Sequence, residues 1–260
     1  MAAKPAALHM MLLIDNSNRT TKLALGDADG ISESWQCRLP STDLEADEII
    51  ESVPDWEEID LLAFCSVTET GPTVLRDVAA RQGVPCFEAT ALTMPLDLTG
   101  YPAPETIGPD RLANAVAAAA LFPDQEVVAI DAGTAITFNV VRAGSVHPVF
   151  LGGAIAPGLG LFTRSLAEST DRLPEIEFPD EAPSPAIGNS TLTALQTAAW
   201  HGFAGLLNGV LEALVPAARP SGIVVTGSDA DIVCHLLSLP CLHSPWLTLD
   251  GLRRAAGRRV

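Results

Sequence analysis

The chain has 260 residues, 48% of them hydrophobic, which is enough for one large domain or two small ones around a substantial core. Thirty-two acids against 15 Lys plus Arg give a net charge of −17, which argues against nucleic acid or an anionic membrane as the main partner. No apolar run reaches membrane-spanning length, and any anion must be bound by local groups rather than by the overall charge.

Residues 1–10 (MAAKPAALHM) read as an unstructured lead-in, and the apolar segment after them meets Asp15 too soon for a secretory signal, so a cytoplasmic protein is expected. Five cysteines, odd in number and without a C-x-x-C pair, point to reduced, mostly buried thiols. Residues 10–15 (MMLLID) read as a buried strand, with 22–25 and 31–38 as hairpin partners around the turn GDADG. An acidic helical stretch at 43–51, the strand LLAFCSV, a helix over 71–82 closed by Gly83 and the short strand PCFEA follow. A Pro- and Thr-rich loop, 93–109, leads into the helix DRLANAVAAAALF, whose first residue is an acid, as the helix dipole prefers.

Residues 127–141, VVAIDAGTAITFNVV, repeat the layout of the first hairpin. Aligning Asp15 with Asp131 also aligns Ile14 with Ile130, Ser17 with Gly133 and Thr21 with Thr137, which points to a duplicated domain. LGGAIAPGLGLFTRSLAEST reads as a glycine-rich loop feeding a helix, and 174–190 as irregular. A helix from Thr191 to Val215 carries Ala194, Ala198, Gly202 and Gly205 or Gly209 as a small-residue stripe suited to a core contact or a dimer seam. SGIVVTGSDADIVCHLL closes the pattern as strand, tight turn and helix, so the class is α/β.

A strand that ends in aspartate beside a turn of small polar residues sets a carboxylate next to hydroxyls and backbone N–H groups, which suits a nucleotide phosphate with its Mg²⁺. Asp15 and Asp131 either flank one triphosphate in a cleft between two halves or simply cap two turns. In VVTGSD, Gly227 lets a base or ribose approach the backbone. In TIGPDRLAN, Arg111 can grip a carboxylate through its fork of donors, and Asp110 can take a proton from a hydroxyl nucleophile. No P-loop, dinucleotide-binding or hydrolase-elbow motif is present, and the spacing of Cys234, His235, Cys241 and His243 fits no common zinc finger.

In this order and spacing, IGPDRLANAVAA, AIDAGTAITF, FLGGAIAPGLGL with TDRLP after it, AIGNSTLTALQTA and LTLDGL resemble the type III pantothenate kinases. These belong to the acetate kinase, sugar kinase, heat-shock chaperone and actin superfamily, and the resemblance runs from about residue 11 to 253. It implies duplicated ribonuclease H-like (actin-like ATPase) domains, residues 11–122 and 123–260, with a cleft between the halves. It further implies a homodimer that transfers the γ-phosphoryl of ATP to pantothenate in the first step toward coenzyme A, using Mg²⁺ and a monovalent cation, K⁺ or NH₄⁺. By position, Asp110 would be the general base; Tyr101, Gly108, Pro109, Asp110, Arg111 and Thr191 would contact pantothenate; and Asp131 would ligate the monovalent cation. Asp15, Asn16, Ser17, Asn18, Arg19, Thr20, Thr21, Lys22 and Thr134 would serve ATP.

The first phosphate turn departs from the family pattern D-x-G-N-T, because Ser17 stands at the glycine and Arg19 at the threonine; Asn139 stands where an aspartate is usual. Two outcomes are open. Arg19 reaches back to the phosphates in a working kinase, or the turn is degenerate and the chain is a non-catalytic paralogue that binds pantothenate or a similar acid.

Overall fold

In the computed structural model, which describes residues 10–214 and 222–258, the chain builds two five-stranded sheets. The first hairpins are β1 (Met11–Asn16), β2 (Thr20–Gly26) and β3 (Ile31–Pro40). Helix α1 (Ala46–Ser52), β4 (Leu61–Ser66), α2 (Gly71–Gln82), β5 (Cys86–Glu88) and α3 (Pro109–Leu121) follow. The second series is β6 (Val127–Ala132), β7 (Ala135–Arg142), β8 (Val149–Pro157), α4 (Leu159–Ser169) and α5 (Thr191–Leu214). It ends with β9 (Gly222–Thr226), α6 (Ala230–Leu236), β10 (Leu242–His243) and α7 (Leu247–Ala256). Residues 1–9 of the lead-in expected at 1–10, and Val215 at the end of the long helix, lie outside the described residues.

The sheets share one strand order, β3-β2-β1-β4-β5 in the first and β8-β7-β6-β9-β10 in the second. In the first, β1 is antiparallel to β2 and parallel to β4; in the second, β6 and β10 run parallel to β9. This is the architecture of a duplicated ribonuclease H-like fold, and Asp15 and Asp131 are each the fifth residue of the central strand. The correspondence stops at the turn. Three residues, Ser17–Arg19, join β1 to β2, whereas two, Gly133 and Thr134, join β6 to β7, so the alignment of Thr21 with Thr137 does not carry across.

One compact unit comprises the described residues of Met1–Asp124, Val141–Leu151 and Trp246–Val260. Its core sets Leu12, Ile14, Leu23, Leu62 and Phe64 from the sheet against Ile49 of α1 and Leu75 and Val78 of α2. Helix α3 is buried from Arg111 to Ala118, as befits a helix of leucines and alanines with hardly a polar face. It is joined to α7 by the buried bond from Thr248 Oγ1 to Asn114 Oδ1, 2.9 Å. Arg253 of α7 also donates to the carbonyls of Asp27 and Ala28, at 3.0 and 2.8 Å, and so ties the end of the chain to the β2–β3 turn. The other unit, Gln125–Val140 and Gly152–Pro245, packs Val128, Ile130, Phe138 and Val225 against Phe203, Leu207 and Leu211 of α5 and Val233 of α6.

The structure corrects four sequence readings. The expected glycine-rich loop at 151–157 is strand β8; a Cβ on Gly153 would run into the Phe138 carbonyl oxygen, so the glycine there serves close strand approach rather than a turn. The first helix begins at Ala46 rather than 43, since Asp43 takes a left-handed φ of 54°. Helix α3 begins at Pro109, whose fixed φ and missing N–H suit the first helical position. All five cysteines are free thiols, but Cys65 alone is buried and Cys86 is exposed.

Candidate active site

The turn between β1 and β2, expected to serve phosphate, is closed by a bond from Ser17 N to Thr20 O at 3.2 Å. Among the described residues, Asp43 and Asp124 are the non-glycine positions with positive φ, so Ser17 adopts a backbone open to any side chain and the missing glycine is not needed for conformation. Its hydroxyl instead donates to Asp15 Oδ1 at 3.1 Å. The same oxygen accepts from the Cys65 thiol at 3.6 Å, and Lys22 Nζ stands 3.7 Å from Oδ2. Asp15, 3% exposed, is therefore fixed on both oxygens at the end of β1.

Asn16, next in the chain, has its amide engaged within the protein. Its Nδ2 donates to Thr21 Oγ1 and Ser41 Oγ at 2.7 and 3.2 Å, while its Oδ1 accepts from Ser66 Oγ and Thr68 Oγ1 at 2.7 and 2.8 Å. This lock of small polar groups holds the strand end and the turn in one shape, so Asn16 and Thr21 organise the turn through buried side chains. Asn18 and Arg19 are exposed at its tip.

Asp110 lies in the first turn of α3, where the positive end of the helix dipole favours a carboxylate. Burial first, then the charges of Asp15 and of Asp110, push the Cys65 thiol well above the ordinary thiol range. The thiol is thus a protonated donor to Asp15. Gly108 caps this helix, and a Cβ there would stand 2.5 Å from Asp110 Oδ1, so the missing side chain leaves room for the carboxylate.

The next residue, Arg111, is 8% exposed and lies with its Cζ 5.6 Å from the centroid of the Phe150 ring. The same ring meets Tyr101 at 5.8 Å between centroids. Phe150 was not singled out in the sequence. It is brought there by the bridge Asp97↔Val149, with Phe150 N donating to Asp97 O at 3.0 Å, which fastens the Pro- and Thr-rich loop to the start of β8.

In the second unit, Asp131 is the penultimate residue of β6, beside the turn that holds Thr134, whose carbonyl accepts from Gly158 N at 3.1 Å. Thr191 is the exposed first residue of α5. Asn139, fully buried, donates to Thr137 Oγ1 and Ala129 O at 3.2 and 3.4 Å. A further residue, Thr226, pairs in register with Asp131 across β6 and β9 and contributes a buried hydroxyl. An oxygen-only pair of this kind, one carboxylate and one hydroxyl, has the donor chemistry of a hard cation site. Elsewhere in this unit His243 Nδ1 lies 3.1 Å from Asp231 Oδ1, and no group of three or more His, Cys, Asp or Glu among the described residues is placed to hold a metal ion.

Comparison with known proteins agrees with this architecture. A structure from Campylobacter jejuni described as a Baf family transcriptional activator superposes with a TM-score of 0.62 at 18% identity, covering 95% of this chain and 98% of the other. A ROK family glucokinase from Streptomyces griseus gives 0.55 at 13% identity, with 96% and 100% covered. At such identities the likeness defines a fold class, that of the actin-like ATPases and sugar kinases. The model of type III pantothenate kinases matches residues 11–213, and a type III pantothenate kinase from Akkermansia muciniphila is 36% identical over 251 residues, 95% of this chain and 98% of the relative. The chain belongs to the type III pantothenate kinase family.

Proposed function

We propose that this chain is an ATP-dependent pantothenate kinase, which moves the γ-phosphoryl of ATP to the primary hydroxyl of pantothenate and yields 4'-phosphopantothenate at the first step of coenzyme A biosynthesis. Beside family membership, the observation that carries this reading is the Asp15 carboxylate fixed by Ser17, Cys65 and Lys22 at the strand end, with the Asp110 carboxylate in the first turn of α3 of the same compact unit. One acid can then serve the phosphates while the other serves the nucleophile. Phosphoryl transfer needs in-line placement and charge neutralisation more than covalent help.

Asp110 accepts the proton of the attacking hydroxyl. Arg111 holds the pantothenate carboxylate, and Tyr101, Gly108, Pro109 and Thr191 shape the rest of that site. Lys22 and the turn from Asp15 to Thr21, with Thr134, serve the triphosphate. The Asp15 carboxylate is an oxygen donor at a strand end beside hydroxyls, which suits a hard divalent ion such as Mg²⁺. That ion, when bound with ATP, offsets charge on the transferred oxygens. Asp131 ligates the monovalent cation, K⁺ or NH₄⁺. The test is a substrate panel read by mass spectrometry: pantothenate should give a phosphate ester, and phosphorylation of glucose with none of pantothenate would refute the assignment.

Gly108→Ala should lower kcat by up to about a hundredfold while the melting temperature changes little, because a misplaced base costs rate rather than packing. Unchanged kcat would show that Gly108 does not govern the Asp110 carboxylate.

The working form in this proposal is a homodimer of cytoplasmic chains, where ATP is at hand and free cysteines stay reduced. Strand β8 is a sheet edge with Ile155 62% exposed, Leu161, Leu166 and Leu192 are also outward, and Gly205 and Gly209 leave open space along α5. Sedimentation should give twice the chain mass; a monomer at micromolar concentration would overturn the dimer. In this proposal the duplicated halves are residues 11–122 and 123–260, each supplying one sheet, with α7 at the end of the second half packed in the first compact unit.

A further inference from the structure

The duplication places one side chain opposite each strand-end aspartate. In the first sheet the β1–β4 register sets Cys65 against Asp15, and the thiol donates to the carboxylate. In the second, the β6–β9 register sets Thr226 against Asp131. Thr226 is 1% exposed, and its Oγ1 is a buried oxygen with no hydrogen-bond partner among the described residues. Buried hydroxyls are costly to leave unmatched and in native proteins are taken up by a partner, a water or a ligand.

The side chain shares a face with Asp131. Val128, Ile130 and Ala132 of β6 lie in one core with Ile223 and Val225 of β9, so alternation along each strand turns Asp131 and Thr226 together to the opposite face. Neighbouring strands run about 4.8 Å apart, which puts a carboxylate and a hydroxyl within reach of one ion. The nearby Ala132 carbonyl is already engaged: Gly227, at φ 102°, turns the chain so that Asp229 N donates to it at 3.0 Å and Ser228 Oγ reaches it at 3.5 Å. A phosphate oxygen in this place would be repelled by the Asp131 carboxylate, whereas a cation is attracted by both groups.

We propose that Thr226 Oγ1 is a ligand of the monovalent cation at Asp131. The inference rests on the reading of Asp131 as the cation residue and extends it to a second donor from another strand. The hydroxyl offers a lone pair to a potassium ion and keeps its proton for a water or ligand beyond.

The test uses the full chain without nucleotide, titrated with potassium chloride against choline chloride at constant ionic strength. The readout is the potassium-dependent shift in melting temperature, repeated with thallium(I) followed by its NMR signal. Thr226→Val should raise the half-saturating potassium concentration about tenfold or more, as loss of a metal-site interaction commonly does, and Thr226→Ser should restore it. Thr226→Ala removes the same oxygen and carries the test if the valine variant does not fold. A response that Asp131→Asn abolishes and Thr226→Val leaves intact overturns the role of Thr226 alone. A wild-type chain that responds no better to potassium than to choline overturns the Asp131 reading and this inference with it. Unchanged potassium affinity with a raised KM for ATP would assign the hydroxyl to a phosphate instead.

Discussion

Replacing Asp110 by asparagine should lower kcat for pantothenate phosphorylation by about a hundredfold to ten-thousandfold, the range expected when a general base is removed. The substitution keeps the shape of the side chain and removes its charge from the first turn of α3, where the loss of a favourable dipole interaction at a half-buried site costs at most about 2 kcal/mol. Melting temperature and pantothenate binding by calorimetry should therefore stay close to wild type. Turnover within a few-fold of wild type would remove Asp110 from the role of base.

The second large effect is expected at Asp15. Asp15→Asn retains an oxygen that can accept from Ser17 and Cys65 but loses the charge facing Lys22, and with it the charge proposed to hold the divalent ion. Loss of such preorganised electrostatics should cut kcat/KM for ATP by about a hundredfold to a thousandfold, with pantothenate affinity unchanged. Steady-state kinetics at varied Mg²⁺ would show it. An equal loss of pantothenate binding would mean that Asp15 shapes the whole site rather than the nucleotide end.

Much of this was legible in the sequence because strand periodicity and a repeated strand-end aspartate are local signals. MMLLID and VVAIDA fall on the central strands of two sheets of the same order. The glycines of LGGAIAPG misled, since a glycine that admits a neighbouring strand looks in sequence like one that makes a turn. Helix α7 was not read as a helix, although Asp250 with Arg253 and Arg254 at helical spacing forms ion pairs of 2.7 and 2.6 Å and was a usable signal.

The partners Cys65, Phe150 and Thr226 left no such trace. Each acquires its place from register or from a long-range bridge, and neither is encoded in the residues nearby. Ser17 shows the same limit from the other side. It stands where the family pattern has glycine, yet its backbone is outside the left-handed region and its hydroxyl donates to Asp15.

Pantothenate kinase activity is decided by ADP release from the purified 260-residue chain given Mg²⁺-ATP with and without pantothenate, in potassium or in sodium as the sole monovalent cation. ADP release should require pantothenate, be faster in potassium and be lost in Asp110→Asn. ADP release that is absent, or that ignores pantothenate, would contradict that activity.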